Sequence, residues 1–271
     1  MILLDGEKIA REIRVKLKER TSSVKLGLSV VQVGNNPVST KYIEVKRQIA
    51  EDLGVSFFLH HFPASISEND LKEAIQKIAE GSRISGIIVQ LPLPSTMNMQ
   101  SVLDAVPFEK DVDVLSSAAF ESFASGNSSI LPPTVCAIAT LFSEYGIEVS
   151  GKNVVVVGAG RLVGVPLVAW FKQKGVNVEV VTSSTQNIKE LTKLADIIIS
   201  GVGKANLITG DMIKEGAVVF DAGTSVEDGE TKGDVDFESV SRVAGYIAPV
   251  PGGVGPLTAV CLFKNLLKIG Q

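Results

Sequence analysis

The sequence predicts an α/β protein of two domains, with a parallel sheet in each. Short apolar segments typical of buried strands alternate with segments of helical spacing along most of the chain. A stretch rich in Ser, Ala and Gly, at 116–129, followed by Pro132 and Pro133, interrupts this alternation and indicates a passage between domains. With 271 residues, the chain is long enough for two domains with separate cores.

The first half opens with an amphipathic helix, because Ile9, Ile13 and Leu17 recur at helical spacing. Continuous apolar runs then mark the strands, and Gly54 ends a second helix. In chain order we predict a strand at 28–33, a helix at 42–53, a strand at 55–62, a helix at 68–79 and a strand at 86–90.

The second half repeats this alternation after a helix predicted at 134–145. Its strands are predicted at 154–157, 178–181, 197–200, 218–221 and 245–247, and a last helix at 258–269. Residues 249–256 are too rich in Pro and Gly for regular structure, so we predict a rigid loop there.

Composition and charge exclude several classes of function. A net charge of −4 gives no global attraction to nucleic acid or to an anionic membrane. No apolar run approaches the roughly 20 residues that span a bilayer. The early charge at Asp5 argues against a secretory signal, which predicts a cytoplasmic protein. Cys136 and Cys261 are predicted to be buried thiols, and His60 and His61 lack a third metal ligand.

A glycine-rich turn is predicted to follow the apolar strand at 154–157. Gly158, Gly160 and Gly164 have the spacing G-x-G-x-x-x-G, one residue longer than the common dinucleotide fingerprint. Glycines let the backbone approach a pyrophosphate, and the N-terminus of the next helix offers free N–H groups. Taken alone, the pattern is also typical of a turn that merely packs a helix on a sheet.

A second pattern places Tyr42 and Lys46 four residues apart, on one face of a helix. Ser39, after Pro37, is placed to cap the start of that helix. Alone, such a pair is typical of a solvated helix face. Three further segments follow it in order, namely Gln90-Leu-Pro-Leu-Pro94, Lys110-Asp-Val-Asp113 and Pro249-Val-Pro-Gly-Gly-Val-Gly-Pro256.

This ordered set resembles the bifunctional methylenetetrahydrofolate dehydrogenase/cyclohydrolase family, from the first helix almost to Gln271. The resemblance implies a homodimer whose two domains flank a cleft that holds a folate. A smaller N-terminal α/β domain would comprise residues 1–130 and 257–271, and a Rossmann-like NAD(P)-binding domain residues 131–256. Methylenetetrahydrofolate would lose a hydride to the nicotinamide, and water would open the methenyl product to 10-formyltetrahydrofolate.

The resemblance also implies roles for single residues. Lys46 would be central to ring opening and hydrogen-bonded by Gln90, Asp113 would grip the pterin's amino-pyrimidine edge, and Tyr42 would stack on a ring. Asp111 is interpreted as a nearby surface carboxylate. The implied folate-binding residues are Ser39, Tyr42, Gln90, Leu91, Pro92, Asp113, Pro251, Gly252 and Gly253. The implied nucleotide-binding residues are Gly158, Ala159, Gly160, Arg161, Val163, Gly164, Ser183, Gly223 and Thr224.

The sequence leaves the choice of cofactor open. The second strand of the nucleotide domain ends without the acid that usually holds the ribose of NAD, so nothing repels a 2′-phosphate. Family members commonly carry a basic residue there or after the first glycine, where this chain has Ser183, Ser184 and Ala159. Arg161 is either a substitute or a solvated residue. We predict NADP on the resemblance, with NAD as the alternative.

Other positions also depart from the family pattern. Val114 stands where glycine is usual, and Thr224 begins a Thr-Ser pair where Ile-Asn is usual. Ser116-Ser-Ala-Ala119 and Leu131-Pro-Pro-Thr-Val135 replace stretches like His-Pro-Tyr-Asn and Leu-Pro-Cys-Thr-Pro. One alternative is therefore a cyclohydrolase, or a folate- or nucleotide-binding protein, that has lost hydride transfer. Another is a dehydrogenase of the shikimate or amino-acid type, which would not explain Tyr42, Lys46 and Gln90 together.

Overall fold

The structure is a computed structural model that describes residues 1–227 and 230–271. The chain divides into two compact units. The first, here called the six-stranded unit, comprises Met1–Ala10 and Thr134–Thr258. The second, here called the three-stranded unit, comprises Arg11–Pro133 and Ala259–Gln271.

Strands and helices alternate along the described part of the chain. The strands are β1 (Ile2–Leu3), β2 (Gly27–Val33), β3 (Ser56–Phe62), β4 (Gly86–Val89), β5 (Val154–Val157), β6 (Val178–Val181), β7 (Ile197–Ser200), β8 (Val218–Asp221), β9 (Ser225–Glu227), β10 (Glu230–Lys232) and β11 (Tyr246–Ala248). The α-helices are α1 (Gly6–Thr21), α2 (Pro37–Asp52), α3 (Glu68–Ala79), α4 (Met99–Leu103), α5 (Ser117–Ala124), α6 (Pro133–Glu144), α7 (Gly164–Gln173), α8 (Ile188–Leu194), α9 (Phe237–Val240) and α10 (Val254–Ile269).

The six-stranded unit is built on a parallel sheet in the order β1-β11-β8-β7-β5-β6. Strands β5, β7 and β8 are buried along their whole length, which explains their continuous apolar sequences. The chain runs from β5 to β6 on one side and then to β7 on the other, so the direction of winding reverses between β5 and β7. In open α/β sheets, ligands bind at the carboxyl ends of the strands at such a switch point.

The three-stranded unit has a parallel sheet in the order β3-β2-β4, with β2 fully buried between its neighbours. Helix α3 packs its apolar stripe, Leu71, Ile75 and Ala79, into a core that includes residues of β2 and β4. Ser67 caps α3 by accepting a hydrogen bond from the Asp70 N–H at 3.1 Å. This packing fixes the carboxyl end of β4, where Gln90 follows.

The predicted two-unit α/β architecture is confirmed, with two differences in detail. The sequence analysis assigned residues 1–130 to the first domain, but Met1–Ala10 groups with the six-stranded unit because β1 pairs with β11. A strand of two residues has too little periodicity to be recognised in the sequence. The predicted passage at 116–129 contains a helix, α5, capped by Ser116. Within the described residues, no helix has the length and apolarity that a membrane span requires.

Candidate active site

The three-stranded unit brings Lys46 and Gln90 into direct contact. Lys46 lies on α2, and its Nζ donates a hydrogen bond to the Gln90 Oε1 at 2.7 Å. Gln90 follows β4, and its backbone N–H continues the sheet by bonding to Val31 O. The Gln90 Nε2 donates to Leu91 O at 2.8 Å, which leaves the amide oxygen to face the lysine. The glutamine therefore holds the amine in place by its acceptor end.

Helix α2 begins earlier than predicted, and Ser39 does not cap it. Asn36 is the N-cap, because its side chain accepts from the Val38 and Ser39 N–H groups at 3.0 Å, and Pro37 starts the helix. The Ser39 side chain is buried, and its hydroxyl donates to Leu91 O at 3.1 Å. Ser39 thus ties α2 to the end of β4, and a contact with substrate stays a prediction.

Asp113 is the third member of this group, here called the Lys46 cluster (Lys46, Gln90 and Asp113). Burial lowers the pKa of Lys46 from its usual value, and the Asp113 carboxylate partly offsets this. Burial raises the pKa of Asp113 to about 6, with Lys46 acting to lower it and Asp111 to raise it. Both shifts favour the neutral forms, which suits the amine and the carboxyl to proton transfer.

Asp113 lies in a tight turn that follows a 3-10 segment at Phe108–Lys110, and Asp111 in this turn forms a β-bridge with Ile87 of β4. The Asp111 Oδ2 accepts from the Leu115 N–H at 3.0 Å and the Ser116 N–H at 2.8 Å, which closes the turn around Asp113. The interpretation of Asp111 as a surface carboxylate was wrong, since its side chain is only 3% exposed. Burial raises its pKa, and the backbone donors oppose that shift.

Asn265, on α10, supports the same turn and was missed in the sequence. Its buried Nδ2 donates to Val112 O at 2.9 Å and to Leu131 O at 2.8 Å. The only sequence signal was an amide within the apolar pattern of the last helix. A buried amide needs partners, and here they are backbone carbonyls far away in sequence.

The remaining predicted folate residues of this unit lie around the Lys46 cluster. Tyr42 is 43% exposed and sits one helical turn before Lys46, so its ring face is available for stacking. Leu91 is half-buried, and Pro92, joined to it by a cis peptide bond, is exposed.

The other predicted folate segment, 249–256, belongs to the six-stranded unit and is less irregular than predicted. Helix α10 begins at Val254, because a proline in the first turn, Pro256, is compatible with a helix. Before it, the Gly253 N–H bonds to Pro249 O at 2.8 Å, and the Glu7 N–H bonds to Gly252 O at 2.9 Å. Pro251, joined to Val250 by a cis peptide bond, is exposed, while Gly253 is buried.

The glycine turn after β5 has the geometry that the sequence predicts. Gly158 has φ +101°, which favours glycine, and its N–H bonds to Val181 O at 2.7 Å. A Cβ on Gly164 would lie 1.9 Å from Gly158 O, so only glycine lets α7 start so close to the turn. Helix α7 has no side-chain cap at Val163.

The surroundings of Gly160 show whether packing within the protein or space for a ligand accounts for the glycine. A Cβ on Gly160 would meet only Gly201 O, at the ordinary distance of 3.7 Å, and Gly160 has no positive φ. Protein packing therefore does not require glycine at this exposed position, and the open space suits a ligand that approaches the backbone. Ala159 and Arg161, on either side, are exposed as well. The turn fits a bound pyrophosphate.

The end of β6 presents hydroxyl groups and no carboxylate. The Thr182 N–H bonds to the Thr185 Oγ1 at 2.9 Å, and the Thr182 and Ser184 hydroxyls lie 2.8 Å apart. Ser183 between them is exposed. The segment can donate hydrogen bonds to an anionic group and carries no charge that would repel one.

Gly223 and Thr224 follow β8, and the structure gives Gly223 a packing role. A Cβ on Gly223 would lie 2.1 Å from the Asp234 carboxyl, so a buried carboxylate excludes any side chain there. Thr224 is exposed. The sequence analysis missed Asp234, because no motif pointed to a buried acid so far from the glycine turn.

No group of three His, Cys, Asp or Glu residues could hold a metal ion within 1–227 and 230–271. The imidazole Nε2 of His60 lies 3.2 Å from the Ser29 hydroxyl, and that of His61 lies 3.0 Å from Gly34 O. Cys136 and Cys261 are buried, as predicted.

Comparison with known proteins identifies the family. Residues 4–113 match the tetrahydrofolate dehydrogenase/cyclohydrolase catalytic domain, and residues 132–271 match the NAD(P)-binding domain of the same family. The chain belongs to the tetrahydrofolate dehydrogenase/cyclohydrolase family.

Relatives match over nearly the full length. The chain is 43% identical to bifunctional protein FolD 2 of Lactobacillus johnsonii over 97% of this chain and 95% of that protein. The crystal structure of the bifunctional FolD dehydrogenase/cyclohydrolase of Campylobacter jejuni has a TM-score of 0.95 at 35% identity, covering 100% and 98% of the two chains. The Trypanosoma brucei enzyme, solved with NADP and an inhibitor, has a TM-score of 0.95 at 32% identity, covering 99% and 97%.

The structure accounts for one position at which the sequence departs from the expected family pattern, Val114. Val114 has φ +58°, a conformation that glycine adopts freely and that is strained for a β-branched residue. The backbone conformation is thus one that would suit the glycine expected at this position from the resemblance. In this chain the Val114 side chain is buried, and its packing compensates for the strained backbone beside Asp113.

Proposed function

We propose that this protein oxidises 5,10-methylenetetrahydrofolate to 5,10-methenyltetrahydrofolate with NADP and hydrolyses that product to 10-formyltetrahydrofolate. The single observation that carries the proposal is the Lys46 cluster, in which a half-buried amine is held by a glutamine and lies beside a carboxyl of raised pKa. Such an arrangement suits proton transfer on a cationic substrate, because both burial and the substrate's positive charge favour the neutral amine.

In the ring opening, neutral Lys46 accepts a proton from the water that attacks the methenyl carbon. Gln90 keeps the lysine Nζ in one position through its amide oxygen. The proton on Lys46 is then available to the ring nitrogen whose bond to that carbon breaks. The net reaction consumes one water, and the cation's charge leaves as one proton.

Asp113 and Tyr42 orient the substrate in this proposal. An ionised Asp113 can accept two N–H bonds from an amino-pyrimidine edge at once, and it is ionised above its pKa of about 6. Tyr42, exposed one turn from Lys46, offers a flat face to an aromatic ring. Leu91 and Pro92, which follow Gln90, are proposed to contact the folate, and Pro251, Gly252 and Gly253 of the other segment are proposed folate-binding residues as well.

For the oxidation, NADP, when bound, would supply the acceptor for the hydride of the methylene carbon. The chain's contribution is to bind the dinucleotide: the turn at Gly158, Ala159 and Gly160 would receive the pyrophosphate at the start of α7. Arg161, Ser183 and Ser184 are the exposed groups proposed to meet the 2′-phosphate. We infer NADP over NAD because the end of β6 carries no acid.

A second candidate, a cyclohydrolase without dehydrogenase activity, is motivated by the missing basic residues at Ala159, Ser183 and Ser184. Two assays separate the candidates. Purified protein is mixed with methylenetetrahydrofolate and either NADP or NAD, and the reduced nucleotide is followed by absorbance. In parallel, the opening of methenyltetrahydrofolate is followed by loss of its absorbance.

The proposal predicts reduced nucleotide in the first assay and ring opening in the second. Ring opening without reduction would support the second candidate, and no turnover in either assay would contradict both. We further infer a cytoplasmic homodimer, which predicts a light-scattering mass twice that of one chain. A single-chain mass would contradict the dimer alone.

A further inference from the structure

The loop at 201–204, which follows β7, lies beside the glycine turn at the switch point of the six-stranded sheet. The Gly201 N–H bonds to Val157 O at 2.9 Å, which extends the pairing of β5 and β7. A Cβ on Gly158 would lie 3.0 Å from Gly201 O, and one on Gly201 would lie 2.4 Å from the Val163 side chain. The loop and the turn therefore pack against each other, and Val202, 47% exposed, faces outward.

One buried carboxylate holds this loop. The Asp234 Oδ1 accepts from the Gly203 and Lys204 N–H groups, each at 2.8 Å. Its Oδ2 accepts from the Val202 N–H at 2.6 Å and from the Ser200 hydroxyl at 2.7 Å. Three successive backbone donors thus converge on one fully buried side chain, and Gly203 takes φ +80° to permit it.

Asp234 is itself fixed by a second buried carboxylate at the end of β8. The Asp221 Oδ1 accepts from the Gly223 and Asp234 N–H groups, at 3.1 and 3.0 Å. The Asp221 Oδ2 accepts from the Val235 N–H at 2.9 Å. The two carboxylates therefore brace the ends of neighbouring strands β7 and β8, where ligands of open α/β sheets bind.

We propose that Asp234 is a positioning residue for the nucleotide: it fixes the 201–204 loop as a preformed wall beside the glycine turn. The proposal rests on the nucleotide-dependent activity proposed above. Asp234 is fully buried, so it acts through the backbone that it holds. Without its charge, the three N–H groups lose their common acceptor, and the loop has no fixed conformation to offer the dinucleotide.

The test replaces Asp234 with Asn, which keeps the shape of the side chain. The new NH₂ group must face either the Gly203 and Lys204 donors or the Val202 donor, so at least one backbone bond is lost. The control is Asp236→Asn, the same chemical change two residues away, at a helix start where the side chain makes no capping bond. Binding of NADP to each folded protein is measured by calorimetry.

We expect Asp234→Asn to weaken NADP binding by about tenfold or more, because bonds to a charged acceptor are lost. Asp236→Asn should bind NADP as the wild type does. The ring-opening rate of Asp234→Asn should stay within about twofold, since the Lys46 cluster belongs to the other unit. Unchanged NADP binding by Asp234→Asn would overturn the proposal, as would an equal loss of binding and of ring opening.

A second variant keeps the test decisive if Asp234→Asn does not fold. Gly203→Ala strains the loop at φ +80° while leaving both buried carboxylates in place. It should also weaken NADP binding, and wild-type binding by this variant would contradict the role of the loop. If the wild type itself fails to bind NADP, the proposed dehydrogenase activity fails instead, which separates the two hypotheses.

Discussion

The Lys46 cluster and the nucleotide turn are built in opposite ways. In the three-stranded unit, the candidate chemistry depends on three side chains from separate elements, with the pKa of two of them displaced by burial. In the six-stranded unit, the candidate nucleotide site consists mostly of backbone. Glycines shape its turn, Asp234 accepts hydrogen bonds from the adjacent 201–204 loop, and Asp221 fixes Asp234. Replacement of one side chain of the Lys46 cluster should therefore abolish most of the ring-opening activity. NADP binding should instead be weakened by any substitution that disturbs the backbone of the nucleotide turn.

The largest effect is expected from Lys46→Ala. Removal of a positioned proton acceptor should slow ring opening by about 10²–10⁴-fold, while NADP binding is retained. The matched control is Lys41→Ala, an exposed lysine on the same helix, which should open the ring at the wild-type rate. Rates are measured from the loss of methenyl absorbance. Equal rates for the two variants would remove Lys46 from the mechanism.

The backbone site is tested by a pair of glycine substitutions. Gly164→Ala places a Cβ 1.9 Å from Gly158 O, so it should lower the melting temperature and NADP affinity together. Gly160→Ala meets only an ordinary contact at 3.7 Å, so it should leave the melting temperature unchanged while weakening NADP binding by about tenfold. If Gly160→Ala bound NADP normally, the open space at Gly160 would have no role in binding.

The raised pKa of Asp113 predicts a pH dependence of stability. The carboxyl of the folded protein has a pKa of about 6, above its usual value of 3.8, so folding favours the protonated form. The resulting stabilisation is complete below about pH 4 and is lost as the pH rises through 6. Asp113→Asn should therefore compare more favourably with the wild type in melting temperature at pH 7.5 than at pH 4.5. A constant difference would refute the shifted pKa.

The smallest effect concerns the strained turn beside Asp113. Val112 and Val114 are both buried valines, but only Val114 has a positive φ, of +58°. Val112→Ala should lower the free energy of unfolding by about 2 kcal/mol through lost packing. Val114→Ala should cost about 1 kcal/mol less, because alanine relieves part of the β-branched strain. Urea denaturation measures both, and equal losses would show that Val114 is not strained.

Much of the fold was predictable because its signals are local. The apolar runs of β2, β5 and β7 and the helical stripe of α3 each lie within one short segment. The two-residue strand β1 and the helix α5 carry weaker signals, and both were missed. The cap of α2 was misplaced because Asn36 and Ser39 are both good caps, and only the structure shows which one bonds.

The residues of the candidate site also divide into those with a signal in the sequence and those without one. Lys46, Gln90 and Asp113 were recognised because their segments occur in the order typical of a family. Asp111, Asn265 and Asp234 were missed or misread because each works by burial and by bonds to backbone that is distant in sequence. No periodicity or motif reveals such partners, since a buried polar residue in the sequence looks like any surface one.

The central claim is that Lys46 acts as a neutral amine held by Gln90, and Gln90→Glu tests it most directly. A carboxylate 2.7 Å from the lysine Nζ would favour the ammonium form and raise its pKa. The pH profile of ring opening should therefore move upward by about 1–3 units. The exposed control Gln76→Glu, which adds the same charge on α3, should leave the profile in place. A Gln90→Glu profile that coincides with that of the wild type would contradict the claim.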